Sequence, residues 1–390
     1  MQNSALSVSA TVLLLLLLET GAHILIGMEV FGKIEMTYRR FYISPDVANR
    51  KPMFWGDFSK EAGRWRVANA SHTAHDCMGN SIPWHSNSVG ASDRERSIQK
   101  RDSSQKRVAI LGDSFMEGML VNAQYRLSNR LEAGTGHEHL NFAVNGSSPI
   151  NYYLVYKNIA KRFEHDVVLI GLLPANDFQD YTPDQAYKLV EWPIYRPYWQ
   201  GTYPAYSLKY SLTAIEQSIS RNNRTTGGLL SVVDSVYSQL PIADRLKADI
   251  LLNSGIFKIV QTLSARWLIT KGRLTQYEQF PEANFLAMRY SLEQIVAEAK
   301  GRKVVLLSIP IQNDIEAIRN GHKNQLDGRL RKFCDQHHIL FVPLLPHFLA
   351  YKGNVADLFV TCDGHWSKKG EQFVSDLLLQ NRQYRSLLTN

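Results

Sequence analysis

Four short stretches of the 390-residue chain carry residue types that together suit acyl transfer. Gly112-Asp113-Ser114 sets a serine directly after the apolar run Val108–Leu111. Asn145-Gly146, Ala175-Asn176-Asp177 and Asp363-Gly364-His365-Trp366 follow later. A serine hydroxyl is a weak nucleophile until a base takes its proton, and that base needs a carboxylate to orient it. His365 supplies the base and Asp363 the carboxylate. The oxyanion that forms on the attacked carbonyl needs N–H donors. The Ser114 N–H, the Gly146 N–H with no side chain in its way, and the Asn176 carboxamide are the candidates. Each residue also has an ordinary use: Ser114 and Asn176 as helix caps, Gly146 as a turn, Asp363 as a capping carboxylate, His365 as a surface histidine. Taken in this order, each at an expected strand end or at the start of the last helix, they favour the catalytic reading.

The elements that must position them read as an α/β pattern. Val108–Leu111 is a short buried-strand signal, with helical character following to about Ala133. His139–Val144 reads as a second strand, Ile150–Phe163 as a second helix and Val167–Leu173 as a third strand. After a mixed region the alternation resumes: strand Lys303–Ile309, helix Leu326–His337, strand Ile339–Pro343 and a last helix Lys368–Gln380. Strand–helix alternation implies a parallel sheet with right-handed crossovers. In such sheets ligands bind beyond the carboxyl ends of the strands, where three of the four stretches fall, the fourth lying just before the last helix. Residues 181–300 read as a helical insertion, with helices expected at Ser207–Arg221, Leu229–Leu240 and Ala283–Lys300. An aromatic, proline-broken loop runs from Trp192 to Trp199.

These blocks resemble those of the SGNH (GDSL-like) hydrolase superfamily over about Lys106–Asp180 and Lys303–Gln380. The lead-in Asn87-Ser88-Val89-Gly90…Asp93-Arg94-Glu95-Arg96 is similar to that of bacterial SGNH proteins found with polysaccharide genes. The resemblance implies a flavodoxin-like three-layer α/β/α fold. It implies Ser114 as nucleophile, His365 as base and then acid, Asp363 as its orienter, and an oxyanion hole of the Ser114 and Gly146 N–H groups with Asn176. Two departures stand out. Only Gly364 separates Asp363 from His365, a form that looks like the proteins of alginate and other exopolysaccharide O-acetylation. The usual Gly-x-Asn-Asp block reads Pro174-Ala175-Asn176-Asp177, with Gly171 further upstream.

Ala5–Phe31 is largely apolar, with six leucines from Leu13 to Leu18. It reaches the roughly 20 residues of a membrane span only by including Glu19 and His23. No Lys or Arg precedes it and no small-x-small cleavage site follows, so an uncleaved anchor is favoured over a signal peptide, with a buried or interfacial helix as the third reading. Lys33, Arg39 and Arg40 after it would keep the following domain in the cytoplasm by charge, whereas the resemblance places that domain outside. The organisation is thus an anchor over 1–35, an extended lead-in over 36–106 that packs on the later domain, and the domain itself over 107–390. The net charge of +8 is concentrated between Gly32 and Ile110, where 14 Lys/Arg face 8 Asp/Glu. Such an excess suits anionic lipid, an acidic glycan or a solvated face. No zinc-finger, RNA-binding or basic-heptad pattern accompanies it, which argues against nucleic acid. Of Cys77, Cys334 and Cys362, the most plausible bridge is Cys334–Cys362. His72, His75, Asp76, Cys77 and His85 fit no standard zinc spacing, and the chemistry needs no cofactor.

Three functions follow as expectations. The first is a serine esterase or O-acyltransferase acting on a cell-surface or exported polysaccharide, with Trp366, Trp192 and Trp199 stacking on sugar rings. A transferase would take its acyl group from a membrane partner protein. The second is a catalytically inactive glycan-binding or assembly protein on the same scaffold. The third is a lipid esterase or thioesterase.

Overall fold

The computed structural model describes residues 2–32, 34, 57–59, 61–76, 79–178, 197–210, 242–243, 246, 250, 253–270, 275–361 and 363–389. Its elements are α1 (Gln2–Gly27), β1 (Asp57–Ser59), β2 (Gly63–Trp65), β3 (Ser71–His75), β4 (Ser81–His85), β5 (Arg107–Leu111), α2 (Ser114–Glu117), α3 (Leu127–Thr135), β6 (Glu138–Asn141), α4 (Pro149–Asn158), β7 (Val167–Leu172) and α5 (Pro174–Asp177). Then come β8 (Pro197–Thr202), β9 (Ala205–Tyr210), α6 (Gly255–Thr270), α7 (Glu282–Ala299), β10 (Lys303–Ser308), α8 (Gln312–Arg319), α9 (Leu326–Gln336), β11 (Leu340–Pro343), α10 (Leu345–Ala350), α11 (Lys368–Gln380) and α12 (Arg382–Thr389). The chain divides into two compact units. One contains α1 and α6; the other contains the remaining elements.

The larger unit is built on one parallel sheet in the order β11-β10-β7-β5-β6. Counted along the sheet strands alone this is the flavodoxin-like order, in which the chain reverses direction at the first strand. β5 pairs with β6 on one side (Arg107↔Glu138) and with β7 on the other (Val108↔Val167). Both central strands are buried along their whole length, which explains why they read as unbroken apolar runs rather than alternating ones. Helices cover both faces: α7 packs with α4, and α11 with α3. The buried residues of α7 include Phe285, Met288, Leu292, Ile295 and Ala299, a 3-4 spacing that lays one stripe on the core. Each large side chain so buried contributes roughly 1.5–3 kcal/mol.

The lead-in is bound into this unit by charge. Arg96, only 2% exposed at its side chain, lies between Asp93 at 2.9 Å and Glu132 at 3.0 Å, and donates to the His139 carbonyl at 3.2 Å. Asp93 also accepts the Asn141 N–H at 3.1 Å. The Asp93–Arg96 stretch is thereby stapled to the β6 edge. Arg66, Arg96 and Arg107 are interior, so part of the expected basic surface is engaged inside the fold.

Two expectations are corrected, and others fall outside the described residues. Residues 205–210 form β9, a hairpin partner of β8, because Tyr206, Leu208 and Tyr210 alternate in burial with a period of two. Leu229–Leu240 lies outside the described residues. Cys334 is a free, buried thiol, which removes the Cys334–Cys362 bridge, and burial pushes it up to about 12. Cys77 and Cys362 lie outside the described residues.

The last helix docks through a buried histidine. The His139 Nε2 meets the Tyr384 hydroxyl at 2.8 Å. Burial pulls the His139 imidazole down to about 4, against the lift of the His137 carbonyl, and burial likewise holds His165 at about 4. Both are therefore neutral in the fold. As pH falls below the ordinary histidine value of 6.5, the unfolded chain takes up protons that the folded one cannot. Stability should drop between pH 6.5 and about 4, by up to a few kcal/mol per group. Melting temperatures across this range should show that drop. The double substitution His139→Gln/His165→Gln should flatten it, and an unchanged slope would exclude these imidazoles as its source.

Candidate active site

The site is built where β5 ends. Gly112 leads into Asp113, whose carboxylate caps α2 by accepting the Phe115 N–H at 3.0 Å. Ser114 is thus the first residue of a very short helix, at a tight strand-to-helix turn. The turn closes against β7 through glycine. A Cβ on Gly112 or Gly171 would lie 2.4 or 2.2 Å from the Met116 Cγ. The Met116 side chain needs the space both glycines leave. Gly171 therefore serves the packing beneath the turn.

The Ser114 Oγ lies 2.7 Å from the His365 Nε2. On the other side of the ring, Nδ1 bonds to the Asp363 Oδ1. The same carboxylate oxygen accepts the His365 backbone N–H at 3.3 Å. Gly364, at φ +90°, folds the chain so that residues two apart can meet in this way. The loop is closed by the Asp363 and Gly364 N–H groups on the Val360 carbonyl and by the Val360 N–H on the His365 carbonyl at 2.7 Å. Ser367 then caps α11 through the Gly370 N–H. Phe115 packs against the imidazole with centroids 4.9 Å apart and against Trp366 edge-on at 5.2 Å. Burial pushes the Asp363 carboxyl up, but the His365 hydrogen bonds and charge outweigh it, and the net direction is down.

Two further loops reach the turn. Beyond β6 the chain keeps to the side of β5, with the Phe142 N–H on the Ile110 carbonyl and the Val144 N–H on the Gly112 carbonyl at 3.1 Å. This carries Asn145-Gly146 to the level of Ser114, with Gly146 at φ +69°. Glu117 Oε2 accepts the Asn145 N–H at 2.9 Å, and its other oxygen is paired with Arg66. Both side chains are fully buried. After β7, Asn176 Nδ2 donates to the Asp113 Oδ2 at 3.3 Å. A carboxamide carries two N–H groups, so one can be held by Asp113 while the other serves a ligand. Burial raises the Asp113 carboxyl to about 6, against the Phe115 N–H, the nearby His365 and Asn176. A carboxyl raised in the fold favours folding at low pH and loses that contribution as pH rises through about 6.

Neighbouring polar residues and the two described tryptophans expected to stack on sugar lie in the interior. Asp177 accepts the Leu173 N–H at 2.8 Å and the Tyr152 hydroxyl at 3.0 Å. Asn151 joins Ser148 to the Ala62 carbonyl. Ser147 is 2% exposed. Trp366 is 1% exposed and Trp199 7%. The Trp199 indole N–H bonds to Ser291 at 2.8 Å and its ring packs against Tyr153, Tyr206 and Tyr290. Both tryptophans are held in packing rather than presented to a ligand. Trp192 lies outside the described residues. Among the described residues, no group of three or more His, Cys, Asp or Glu is placed to hold a metal ion; His72, His75 and His85 are spread along the β3–β4 hairpin. Three contributors were not read from sequence: Asp113 as holder of Asn176, and Glu117 with Arg66 as holders of the Gly146 loop. Asp113 was visible in its motif, whereas Arg66 gave no local signal.

No protein-family model matches the chain, and no curated protein matches it. Among solved structures it is similar to the lipase/acylhydrolase from Enterococcus faecalis, at 13% identity and a TM-score of 0.38, covering 73% of this chain and 97% of that one. It is also similar to a member of the lipolytic protein G-D-S-L family from Veillonella parvula, at 10% identity and a TM-score of 0.35, covering 71% and 98%. Identities this low do not extend to what the chain acts on.

Asp113→Asn should separate the hold on Asn176 from the nucleophile itself. The variant loses the acceptor for Asn176 but leaves Ser114 and His365 in place. Labelling of Ser114 by a fluorophosphonate should slow by about 10–100-fold, somewhat less than the loss of a whole oxyanion donor. Melting above pH 6 should be unchanged or higher, because a buried charge is gone. Labelling at the parent rate would show that Asp113 does not set the donor geometry.

Proposed function

We propose that the chain is a serine-dependent ester enzyme, an O-acetyl esterase or O-acyltransferase, working through an acyl-serine intermediate on a cell-surface or exported polysaccharide. The observation that carries this reading is the 2.7 Å contact of the Ser114 Oγ with an imidazole whose other nitrogen is on Asp363. It lies at the reversal point of the parallel sheet, where two further loops converge.

The Ser114 oxygen attacks the ester carbonyl carbon as its proton passes to the His365 Nε2. Asp363 stabilises the resulting imidazolium and keeps Nε2 facing the serine. Negative charge builds on the former carbonyl oxygen, which the Ser114 and Gly146 N–H groups and the Asn176 amide receive. Donors of this kind are worth about 10²–10³ in rate each because they are oriented before reaction. Collapse breaks the ester C–O bond, and the leaving alcohol takes the proton from Nε2. Water or a sugar hydroxyl then attacks the acyl carbon with His365 as base, which frees Ser114. Water makes the chain an esterase; a sugar acceptor makes it a transferase, loaded by an acyl donor such as a membrane partner protein. The preference for acetyl groups on polysaccharide rests on the Asp-Gly-His-Trp form and the resembling lead-in. α1 serves as an uncleaved anchor, with the catalytic unit outside the cytoplasm.

The full chain in detergent should turn over an activated acetyl ester faster than long-chain esters. Ser114→Ala should reduce that turnover by about 10³-fold or more while the fold persists. Sugar acceptors tested against water then separate transfer from hydrolysis. A folded protein with no serine-dependent turnover and no fluorophosphonate labelling would overturn the enzyme reading in favour of a binding scaffold. A preference for long acyl chains would move the substrate to lipid.

A further inference from the structure

The exposed large apolar side chains are distributed very unevenly. Among the described residues, all but Ile98 belong to the smaller unit. They include Val8 and Val12 to Leu18 on α1, then Ile242, Leu246 and Ile250, and finally Val260 and Leu263 on α6. Ile242, Leu246 and Ile250 recur every fourth residue, one face of a helix, and are 70, 59 and 61% exposed. A water-facing surface would not collect its apolar residues in this way.

α1 contains a 21-residue apolar stretch, Ser7–Gly27. At 1.5 Å per residue it is about 31 Å long, matching a hydrocarbon core of about 30 Å. Glu19 lies within that stretch, about 12 Å along the helix from Gly27. Its carboxylate accepts the Gly255 N–H, at the start of α6, and the Ser254 hydroxyl at 3.0 Å. His23 stands one turn on, 3.2 Å from Glu19 and 3.1 Å from the Asn253 carbonyl. A Cβ on Gly255 would lie 3.2 Å from the Ala22 Cβ, so the two backbones meet closely there. In lipid a bare carboxylate and a bare helix end are each expensive. Here each satisfies the other: Glu19 receives the donors that the first turn of α6 leaves unpaired.

We propose that the insertion returns to the membrane, so that α6 begins within the bilayer beside α1 and turns Val260 and Leu263 to lipid. The occupant of this apolar face is the acyl-chain region of the bilayer. The argument is positional: the start of α6 is bonded to a residue inside the apolar stretch of α1, and the exposed apolar residues of the insertion belong to the same compact unit as α1. The proposal rests on the reading of α1 as an anchor. It makes Glu19 and His23, the two ionisable residues within the stretch, the fittings that receive a second helix.

The test uses the full chain in phosphatidylcholine vesicles, with Cys77 and Cys362 replaced by Ser and the buried Cys334 by Ala. A single cysteine at Val260→Cys, Leu263→Cys, Leu15→Cys or Ile98→Cys carries an NBD fluorophore. Brominated phosphatidylcholine quenches from within the bilayer and iodide from water. Labels at 260 and 263 should be quenched by bromolipid at least as half as strongly as the label at 15, and by iodide several-fold less than the label at 98. Glu19→Leu should weaken the bromolipid quenching at 260 and 263 and leave that at 15 intact. Quenching at 15 without quenching at 260 and 263 would overturn the proposal and keep the anchor. Labels at 260 and 263 shielded from both quenchers would also overturn it, by showing protein in place of lipid. A label at 15 open to iodide would overturn the anchor reading itself.

Discussion

Glu117 carries its carboxylate into the interior of the larger unit, and three segments depend on where it points. It stands three residues after Ser114, so it belongs to the turn that carries that serine. One oxygen holds the Asn145 N–H beside Gly146, and the other is paired with Arg66 from the lead-in. Charges so buried persist only when matched, and removing one member of such a pair typically costs about 3–5 kcal/mol. The lead-in is thereby part of the site's architecture: without Arg66 the carboxylate that sets the Gly146 loop would be left unpaired.

The same logic runs through the remainder of the unit. Asp113 caps the helix that begins at Ser114 and holds Asn176, so one carboxylate relates Ser114 to an amide on a different loop. Asp363 gives a single oxygen to both the backbone and the ring of His365. Asp113 and Glu117 each span from their own turn to a neighbour that the sheet has brought alongside, whereas Asp363 works within its own loop. The parallel order supplies the proximity, and these carboxylates supply the orientation.

The central strands were legible because burial on both faces demands continuous apolar runs, and α11 because its cap and amphipathic stripe are local, whereas α12 beyond it was not expected. The insertion was read less well. Tyr206, Leu208 and Tyr210 alternate with a period of two, yet apolar residues a few positions apart also suit a helix, and only pairing with β8 decides between them. Trp199 invited a sugar-stacking reading because composition cannot say which way a ring faces. Its burial against Tyr153, Tyr206 and Tyr290 depends on α4, β9 and α7 meeting there.

By itself, the order of residues determined which side chains have the chemistry: a serine at a strand-to-helix turn, a histidine two residues after an aspartate, a glycine and an asparagine at the ends of the next two strands. Those signals are local, since caps, turns and buried strands are written over a few neighbouring residues. The tertiary structure alone decided that Ser114 and His365, 251 residues apart, come to 2.7 Å. It alone decided that Arg66 answers Glu117, and that Glu19 meets the start of a helix 236 residues away. Contacts at such separations follow from sheet order and helix packing, which arise from the summed burial of many side chains and leave no mark at the residues that meet.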